Sequence, residues 1–474
     1  MLAATSPVRD LPAVADDFGT LAATARSTCE NAVDEADIAV MMEVDGLSDA
    51  TAAGRYGVTD VHELAARLLA AVPTRVPSSP VIVERDRPAV RWRLASRGLL
   101  YAAPGVFYLA IAQDIRSRSA LMCLLGVTVA GWMVSQVLAV LAHRLLARTG
   151  ASNTTRVLRR AVAAFLPVAV GVFAAAAPTT GDHVAAVLGA QLVYVVAATV
   201  LLFHDADLRL ALSLLPGATA ATVLLTGVGP APSGWLPPAL AVMSAGATVA
   251  TACTLRASAP GEHPPSLQYP TRADLAFAAP YAAYGVLCAG AVVFQPLSAA
   301  MGPTRPDAPA LDLTIVPLVL VMGYAEVEIR RLRGWITACT AASRTLARYR
   351  RRVLAHLALV ELRVAVVLSV MSAGICAIMW TLNRWDGQAP LRSAAHVALG
   401  CALVAGLITC AFGHVRTATA SLAVSFGVIV AARALWPPPQ PLDLIDLPVA
   451  CLVLLTGLLI ATAHVVRNPI NVTG

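Results

Sequence analysis

The chain has 474 residues, of which 58% are hydrophobic and 13% are charged, and its mean hydropathy is +0.71. Soluble domains carry roughly 25% charged residues, so this composition excludes a soluble enzyme, a disordered chain and a nucleic-acid binder. All 35 basic residues are arginine, and the formal net charge is +7. The nine cysteines form no C-x-x-C pair and no His/Cys cluster, so the sequence predicts no disulfide framework, no metal and no cofactor.

The acidic residues divide the chain into a polar tail and an apolar remainder. Fourteen of the 28 acidic residues lie in the first 96 positions, so residues 1–96 are predicted to be a cytoplasmic N-terminal tail. Residues 1–15 are predicted to be disordered, and a first helix is predicted over residues 16–32. No basic-then-apolar run with a cleavage site opens the chain, so no signal peptide is expected.

A helical hairpin is predicted in the middle of this tail. Ser48 suits the N-cap of a helix over residues 49–56, Gly57 suits the left-handed position after it, and Thr59 is predicted to cap a helix over residues 60–71. The turn resembles that of a helix-turn-helix module, but the second helix opens with acidic residues that phosphates would repel. We therefore expect a docking hairpin and no nucleic-acid partner.

Twelve transmembrane helices are predicted, each with about 20 mostly apolar residues. They lie at about residues 98–115, 119–142, 158–178, 183–203, 208–229, 235–257, 273–296, 311–329, 362–382, 393–413, 415–435 and 442–466. With the N-terminus inside, the cytoplasmic segments from residue 97 onward hold 20 arginines and the outer segments hold six. This asymmetry predicts a multi-pass cell-membrane protein with both termini in the cytoplasm.

The connection after the eighth predicted span is rich in arginine. The cytoplasmic end of the eighth span is predicted to continue into a basic helical hairpin, residues 327–361, at the membrane interface. Three of its apolar or aromatic side chains are expected to face the membrane, and four of its arginines are expected to contact lipid headgroups. The first group is Trp335, Leu346 and Tyr349, and the second is Arg348, Arg350, Arg351 and Arg352. The alternative is that the arginines only orient the protein.

A weak internal repeat begins at the first and seventh spans. Residues 96–104 and 271–280 both read hydroxyl, arginine, apolar residues and Ala-Ala-Pro. Six spans separate the two starts, so the halves have the same orientation. The repeat predicts an all-α protein with two six-helix lobes, residues 97–270 and 271–474.

This organisation resembles the MOP superfamily of exporters, which includes polysaccharide and lipid-linked oligosaccharide flippases. The pattern Arg-x-Asp-Leu-x-x-x-x-Pro-Tyr-x-x-Tyr-Gly at residues 272–285 resembles the start of the second lobe in Pel-type exopolysaccharide exporters. The resemblance implies a flippase-like transporter that exports a polysaccharide or a lipid-linked glycan. One departure is Phe294-Gln295-Pro296, which stands where such relatives are expected to carry an Asp-Arg pair.

One other class of protein remains under consideration, and enzymes are not among the predictions. The motifs of ATP-binding proteins, zinc proteases and serine hydrolases are missing, so no enzymatic activity is predicted. The scarcity of charges deep in the spans leaves a non-transporting scaffold subunit of an envelope polysaccharide or secretion complex as the alternative. Expected partners are membrane lipids and, through the tail, a glycosyltransferase or another polysaccharide-synthesis subunit.

Seven residues are candidates for substrate binding. Polar groups inside a bilayer are costly, so they are either substrate contacts or contacts that join helices. The candidates are Arg97, Gln136, Gln191, Tyr194, Arg272, Gln295 and His396. Arg97 and Arg272 occupy equivalent repeat positions and are predicted to grip an anionic group such as a pyrophosphate; the alternative is that both are membrane anchors.

Two carboxylates near span ends raise the question of partners. Asp274 follows Arg272 by two residues, and Glu361 precedes Arg363 by two. Residues two apart do not face each other on a helix, so any ion-pair partner of these groups must lie on another helix.

The orientation can be tested by cysteine labelling from either side of the membrane. We expect cysteines at Ser152, Pro260 and Ser343 to react from the cytoplasm, and cysteines at Pro306 and Gln388 to react from outside. Reversed accessibility at any two of these positions would contradict the twelve-span topology.

Overall fold

The architecture is all-α in the part of the chain that the computed structural model describes. Those residues are 13–26, 29, 32, 35–72, 88–111, 115, 117–226, 233–257, 267–301, 313–343, 345–381, 387–435 and 443–467, and none of them lies in a strand. The contacts divide the chain into two compact units, Met1–Glu84 and Arg85–Gly474. The predicted disorder of residues 1–15 lies almost wholly outside the described residues.

The N-terminal unit is a small cluster of helices, α1 (Ala13–Thr24), α2 (Glu35–Val44), α3 (Asp49–Tyr56) and α4 (Val61–Ala71). Its apolar core includes Ile38 and Met42 of α2, and Leu64 and Leu68 of α4, all buried. The predicted hairpin is thus α3 and α4, and α2 packs against α4 to cover it.

The helix caps of this hairpin follow the sequence with one correction. Ser48 accepts a hydrogen bond from the backbone of α3, and Gly57 has a φ of +67°, both as predicted. Thr59 was the wrong cap for α4, because the Asp60 carboxylate accepts from the Glu63 N–H at 2.8 Å. Thr59 instead donates its N–H to Glu63 at 2.7 Å. That backbone bond, with a second from the Thr59 hydroxyl, holds the pKa of Glu63 below its usual value.

The second unit contains the membrane helices. Their bounds are α5 (Pro88–Ala110), α6 (Arg118–Thr180), α7 (Asp182–Phe203), α8 (Asp207–Thr226), α9 (Leu236–Ala257), α10 (Arg272–Met301), α11 (Val316–Ala342), α12 (Leu346–Thr381), α13 (Ala389–Ala411), α14 (Val415–Leu435) and α15 (Asp443–Val466). Helix α6 is interrupted at Gly150, whose φ of +78° is non-helical, so α6 contains two of the predicted spans. Each of the twelve predicted spans therefore coincides with a helix.

Apolar length supports most of these spans. Among the described residues, eight helices, including α6, are long and apolar enough to cross a membrane, and α5, α11 and α14 are not among them. Helices α5 to α9 enclose an apolar core around Phe107, Leu188 and Leu240. Helices α10 to α15 enclose further apolar clusters around Leu368 and Leu403. The predicted fold class, a polytopic all-α membrane protein, is confirmed.

The basic hairpin continues from the eighth predicted span, as predicted, but its second arm is also continuous with the ninth span. Helix α11 extends to Ala342 and α12 runs without a break from Leu346 to Thr381, so the hairpin is the projecting ends of two membrane helices. The 36 residues of α12 span about 54 Å at 1.5 Å per residue, well beyond the roughly 30 Å hydrocarbon core.

Tyr349 does not face the membrane, contrary to the prediction. It is 2% exposed and donates its hydroxyl to the Val466 carbonyl at 3.2 Å, because the buried stripe of α12 that includes Val353 and Leu357 continues through it. Trp335 stacks on His356, with 4.1 Å between ring centroids. Leu346 is exposed.

Candidate functional site

The candidate site is the interface between the two predicted lobes. It consists of two helix pairs, α5 with α11 and α6 with α10. In each pair, the first helix of one predicted lobe packs against the second helix of the other predicted lobe. The contacts described below lie in the halves of these helices that the predicted topology assigns to the cytoplasmic side.

Glycines let α5 and α11 approach each other at backbone distance. A Cβ on Gly98 of α5 would lie 2.1 Å from the Leu320 carbonyl oxygen of α11. A Cβ on Gly323 of α11 would lie 2.5 Å from the Ala95 carbonyl oxygen of α5. No side chain fits at either position unless the two helices move apart.

The α6–α10 pair uses one glycine and a predicted site residue. A Cβ on Gly285 would lie 3.1 Å from both the Trp132 carbonyl oxygen and the Gln136 side chain. Gln136 thus lies at the lobe interface, packed against the backbone of the opposite lobe.

Arg97 is the centre of the first ion-pair cluster. It is 8% exposed, and its guanidinium donates to Asp207 at 2.5 Å and to Asp205 at 3.1 Å. It also reaches across the interface to Glu326 of α11 at 3.5 Å. The Tyr101 hydroxyl donates to the other Glu326 oxygen at 2.5 Å. Arg97 and Asp207 are largely shielded from water, so removing either of them would cost about 3–5 kcal/mol.

Asp274 is the centre of the second cluster. It is 2% exposed, and it accepts from Arg144 at 2.7 Å and pairs with Arg148 at 3.0 Å, both on α6. Asp274 also accepts from the Thr271 N–H at 2.8 Å. The expectation that its partner lies on another helix is confirmed. Each lobe therefore sends a charge from its first helix to the second helix of the other lobe, a cation in one case and an anion in the other.

The connection between the lobes is fastened to the same end. Asn153 exchanges two hydrogen bonds with the Gln268 backbone, at 2.8 and 3.0 Å. Arg148 donates to the Tyr269 carbonyl at 3.3 Å, and Arg160 donates to the Tyr269 hydroxyl. These contacts hold residues 268 and 269 against the turn of α6 near Gly150.

The remaining candidate residues are dispersed. Arg272 is exposed at the start of α10. Tyr194 is buried in the first lobe and donates to the Leu100 carbonyl at 2.8 Å. Gln191 is buried on the same helix, and its side-chain oxygen has no hydrogen-bond partner among the described residues. His396 is buried in the second lobe, 2.9 Å from the Thr314 hydroxyl. Gln295 lies on α10, and its side chain lies outside the described residues.

The arginines predicted to contact lipid headgroups lie at the start of α12. Arg348, Arg351 and Arg352 are exposed, and Arg350 is exposed and donates to the Arg467 carbonyl at 3.4 Å. In the described part of the chain, no group of three or more His, Cys, Asp or Glu side chains is placed to hold a metal ion.

Solved structures with a similar fold are transporters. A MOP superfamily transporter from Pyrococcus furiosus is 12% identical, and the match covers 82% of this chain and 99% of that one with a TM-score of 0.51. A multidrug resistance MATE family transporter of the MOP superfamily, solved in an outward-facing conformation, is 13% identical over 82% of this chain and 97% of that one, with a TM-score of 0.48. The chain shares its helical fold with the Pyrococcus furiosus protein. No protein-family model and no curated protein matches the sequence.

Sequence reasoning missed most of the interface of this MOP-type fold. Asp207, Glu326, Arg144 and Arg148 are ordinary charged residues at span ends, and their pairing depends on which helices cross. The signal that could have pointed to these pairs is the presence of both acidic and basic residues at the same end of several spans.

The glycine contacts predict a selective effect of one added methyl group. Gly98→Ala should separate α5 from α11, because the new methyl group would overlap the Leu320 carbonyl. We expect a longer spin-label distance between cysteines introduced at Ala151 and Thr345, with the exposed Cys123 and Cys253 replaced by serine.

Gly105→Ala on the same helix is the matched control, since no atom lies within 4 Å of its added Cβ. An unchanged distance in a well-folded Gly98→Ala protein would contradict the close packing of α5 and α11.

Proposed function

We propose that this protein is a flippase-like transporter that exports a polysaccharide or a lipid-linked glycan across the cell membrane. The observation that carries the proposal is the interface between the predicted lobes. Ion pairs, hydrogen bonds and glycine contacts cross it, together with Trp132 of α6, which packs against an apolar cluster of α10 and its neighbours, whereas the other large apolar clusters lie within single lobes. The polar contacts can be exchanged for water, so such lobes can separate while the core within each lobe stays buried.

In this proposal the structure is the state closed toward the cytoplasm. Transport proceeds by rocking of the two helix bundles about a fixed central site. When the lobes separate at the cytoplasmic end, the Arg97–Glu326 and Arg144–Asp274 contacts break and their charges become hydrated. The ion pairs then form again when the cytoplasmic end closes.

The charge arrangement supports an anionic substrate. Arg97 is held by carboxylates in the closed state and would be partly released on opening, when Glu326 moves away with α11. A guanidinium binds a phosphate or pyrophosphate with two parallel hydrogen bonds. Arg272 is exposed at the start of the other lobe and is proposed as the second contact. The glycan itself is proposed from the resemblance of residues 272–285 to exopolysaccharide exporters.

Exchange of arginine for lysine tests whether Arg97 and Arg272 bind an anionic group of the substrate. The double variant Arg97→Lys, Arg272→Lys keeps both charges but loses bidentate binding, which at about 1.5–3 kcal/mol per charged hydrogen bond predicts about a tenfold or greater loss of export. The measurement is surface glycan in producing cells at equal protein level.

Arg416→Lys is the matched control, because Arg416 is an exposed arginine at the predicted cytoplasmic end of α14. The single Arg272→Lys variant leaves the Arg97 cluster intact and isolates the second contact. Wild-type export in the double variant would overturn the grip and leave both residues as anchors.

The N-terminal unit is proposed to bind a glycosyltransferase or another subunit of glycan synthesis. Val40, Met41 and Val44 of α2 are 57%, 46% and 75% exposed and form one apolar stripe at helical spacing. Residues 1–84 contain 13 acidic residues and five arginines. An apolar stripe in an acidic surrounding suits a basic amphipathic segment of the partner.

Polar substitution of the stripe should uncouple this partner. Val40→Ser with Val44→Ser is expected to lower glycan export several-fold while the amount of protein in the membrane stays constant. Ala53→Ser, an exposed change on α3, is the control. Export that is unaffected by the double serine variant and by deletion of residues 1–72 would rule out this docking role.

A further inference from the structure

Glu361 is an acidic side chain that has no counter-charge among the described residues. It lies on α12, close to the point where the arginine-bearing end of the helix gives way to the apolar stretch of residues 364–381. Both of its carboxylate oxygens are shielded from solvent, and neither has a hydrogen-bond partner among the described residues.

The neighbouring carboxylates at this end of the molecule are all paired. Asp207 binds Arg97, Asp274 binds Arg144, and Glu326 accepts from Arg97 and Tyr101. Glu328 of α11 is 0% exposed, yet it is paired with Arg331 at 2.5 Å and Arg363 at 3.4 Å. Glu361 thus differs from each of these acids in having burial without compensation.

The helices packed around Glu361 offer it no cation. On its own helix, Arg363 is two residues away, so it faces another direction, and it donates to Glu328. His356 is stacked on Trp335. On α13 the titratable group close to Glu361 is the Cys401 thiol, which lies in an apolar cluster with Val404.

The described residues of α11 and α15, which also pack on α12, place no unpaired cation beside Glu361. On α11 the charged groups toward α12 are Glu328 and Arg331, which are paired with each other, and Tyr324 lies beside them. On α15 the titratable group near this end is His464, which is exposed beside Arg467.

A buried carboxylate in such surroundings is stable only as the neutral acid. Burying an ionised carboxylate without a partner costs several kcal/mol, whereas a protonated one avoids that cost. We propose that Glu361 is a proton-binding site of the second lobe, which carries a proton in the closed state and releases it to water when the lobe rearranges.

Helix α11 supplies the mechanical link to the lobe interface. Glu326 and Glu328 are two residues apart and point in different directions, Glu326 to Arg97 of the first lobe and Glu328 to Arg363 of α12. Movement of α11 during opening is therefore transmitted to α12, next to Glu361. This coupling step rests on the proposed transport cycle, whereas proton binding itself does not.

Infrared spectroscopy of the full-length protein in lipid nanodiscs tests proton binding directly. At pH 7 an ordinary Glu, with a pKa of about 4.3, is ionised. We expect a carbonyl-stretching band of a protonated carboxylic acid at pH 7, which is lost in Glu361→Gln and retained in the exposed-site control Glu43→Gln. Glu361→Asp should shift this band, which keeps the assignment testable if the Gln variant folds poorly.

The coupling is tested by the spin-label distance between Ala151→Cys and Thr345→Cys as a function of pH. We expect the distance to change with pH in the parent protein and to be constant in Glu361→Gln. Absence of the band at pH 7, or a band that persists in both Glu361 variants unchanged, overturns the proton site. A band with a pH-independent distance overturns the coupling but not the proton site. The proposed function is tested separately, by glycan export in the double Arg97→Lys, Arg272→Lys variant, so its failure is distinguishable from both of these results.

Discussion

One end of the helix bundle depends on charges that cross between the two predicted lobes. Arg97 reaches Glu326 from the first lobe, and Asp274 reaches Arg144 and Arg148 from the second. Buried ion pairs contribute little net stability, because desolvation offsets most of the Coulomb attraction, but they are costly to leave half-made. The two crossings therefore specify one alignment of the lobes without joining them permanently.

Backbone packing makes those charge contacts geometrically possible. The absence of a side chain at Gly98 and Gly323 lets α5 and α11 touch, which brings Arg97 within 3.5 Å of Glu326. Small residues at helix contacts are common in membranes. Lipid tails are as apolar as the helices, so helices associate through dispersion and hydrogen bonds and not through the hydrophobic effect. Electrostatics and packing thus act at the same place on the same pair of helices.

Both predicted lobes carry a long hairpin between their second and third helices. In the second lobe it is formed by α11 and α12, and Tyr349 joins it to the end of α15. In the first lobe it is the 63-residue α6, which turns at Gly150. The second hairpin holds the paired Glu328 and Glu361, whose oxygens have no hydrogen-bond partner among the described residues, so the two hairpins differ in the charges they carry more than in their length.

The sequence by itself determined the helices of this protein, because apolar length, proline and glycine are local properties of the chain. The twelve spans, the Ser48 cap and the Gly57 turn all follow from short stretches of residues, and so does the repeat that begins at Arg97 and Arg272. The Asp60 cap was missed because two adjacent residues both suit an N-cap and only the backbone path selects one.

Only the tertiary structure decided which polar residues meet. Arg97 and Asp207 are 110 positions apart, and Arg97 and Glu326 are 229 apart, so no local pattern links them. The same distinction separates Asp274, which finds two arginines on α6, from Glu361, which finds none on the helices around it. Both acids stand two residues from an arginine in the sequence, and the helix period turns that arginine away in each case. Their different states are set by the helices that pack against them.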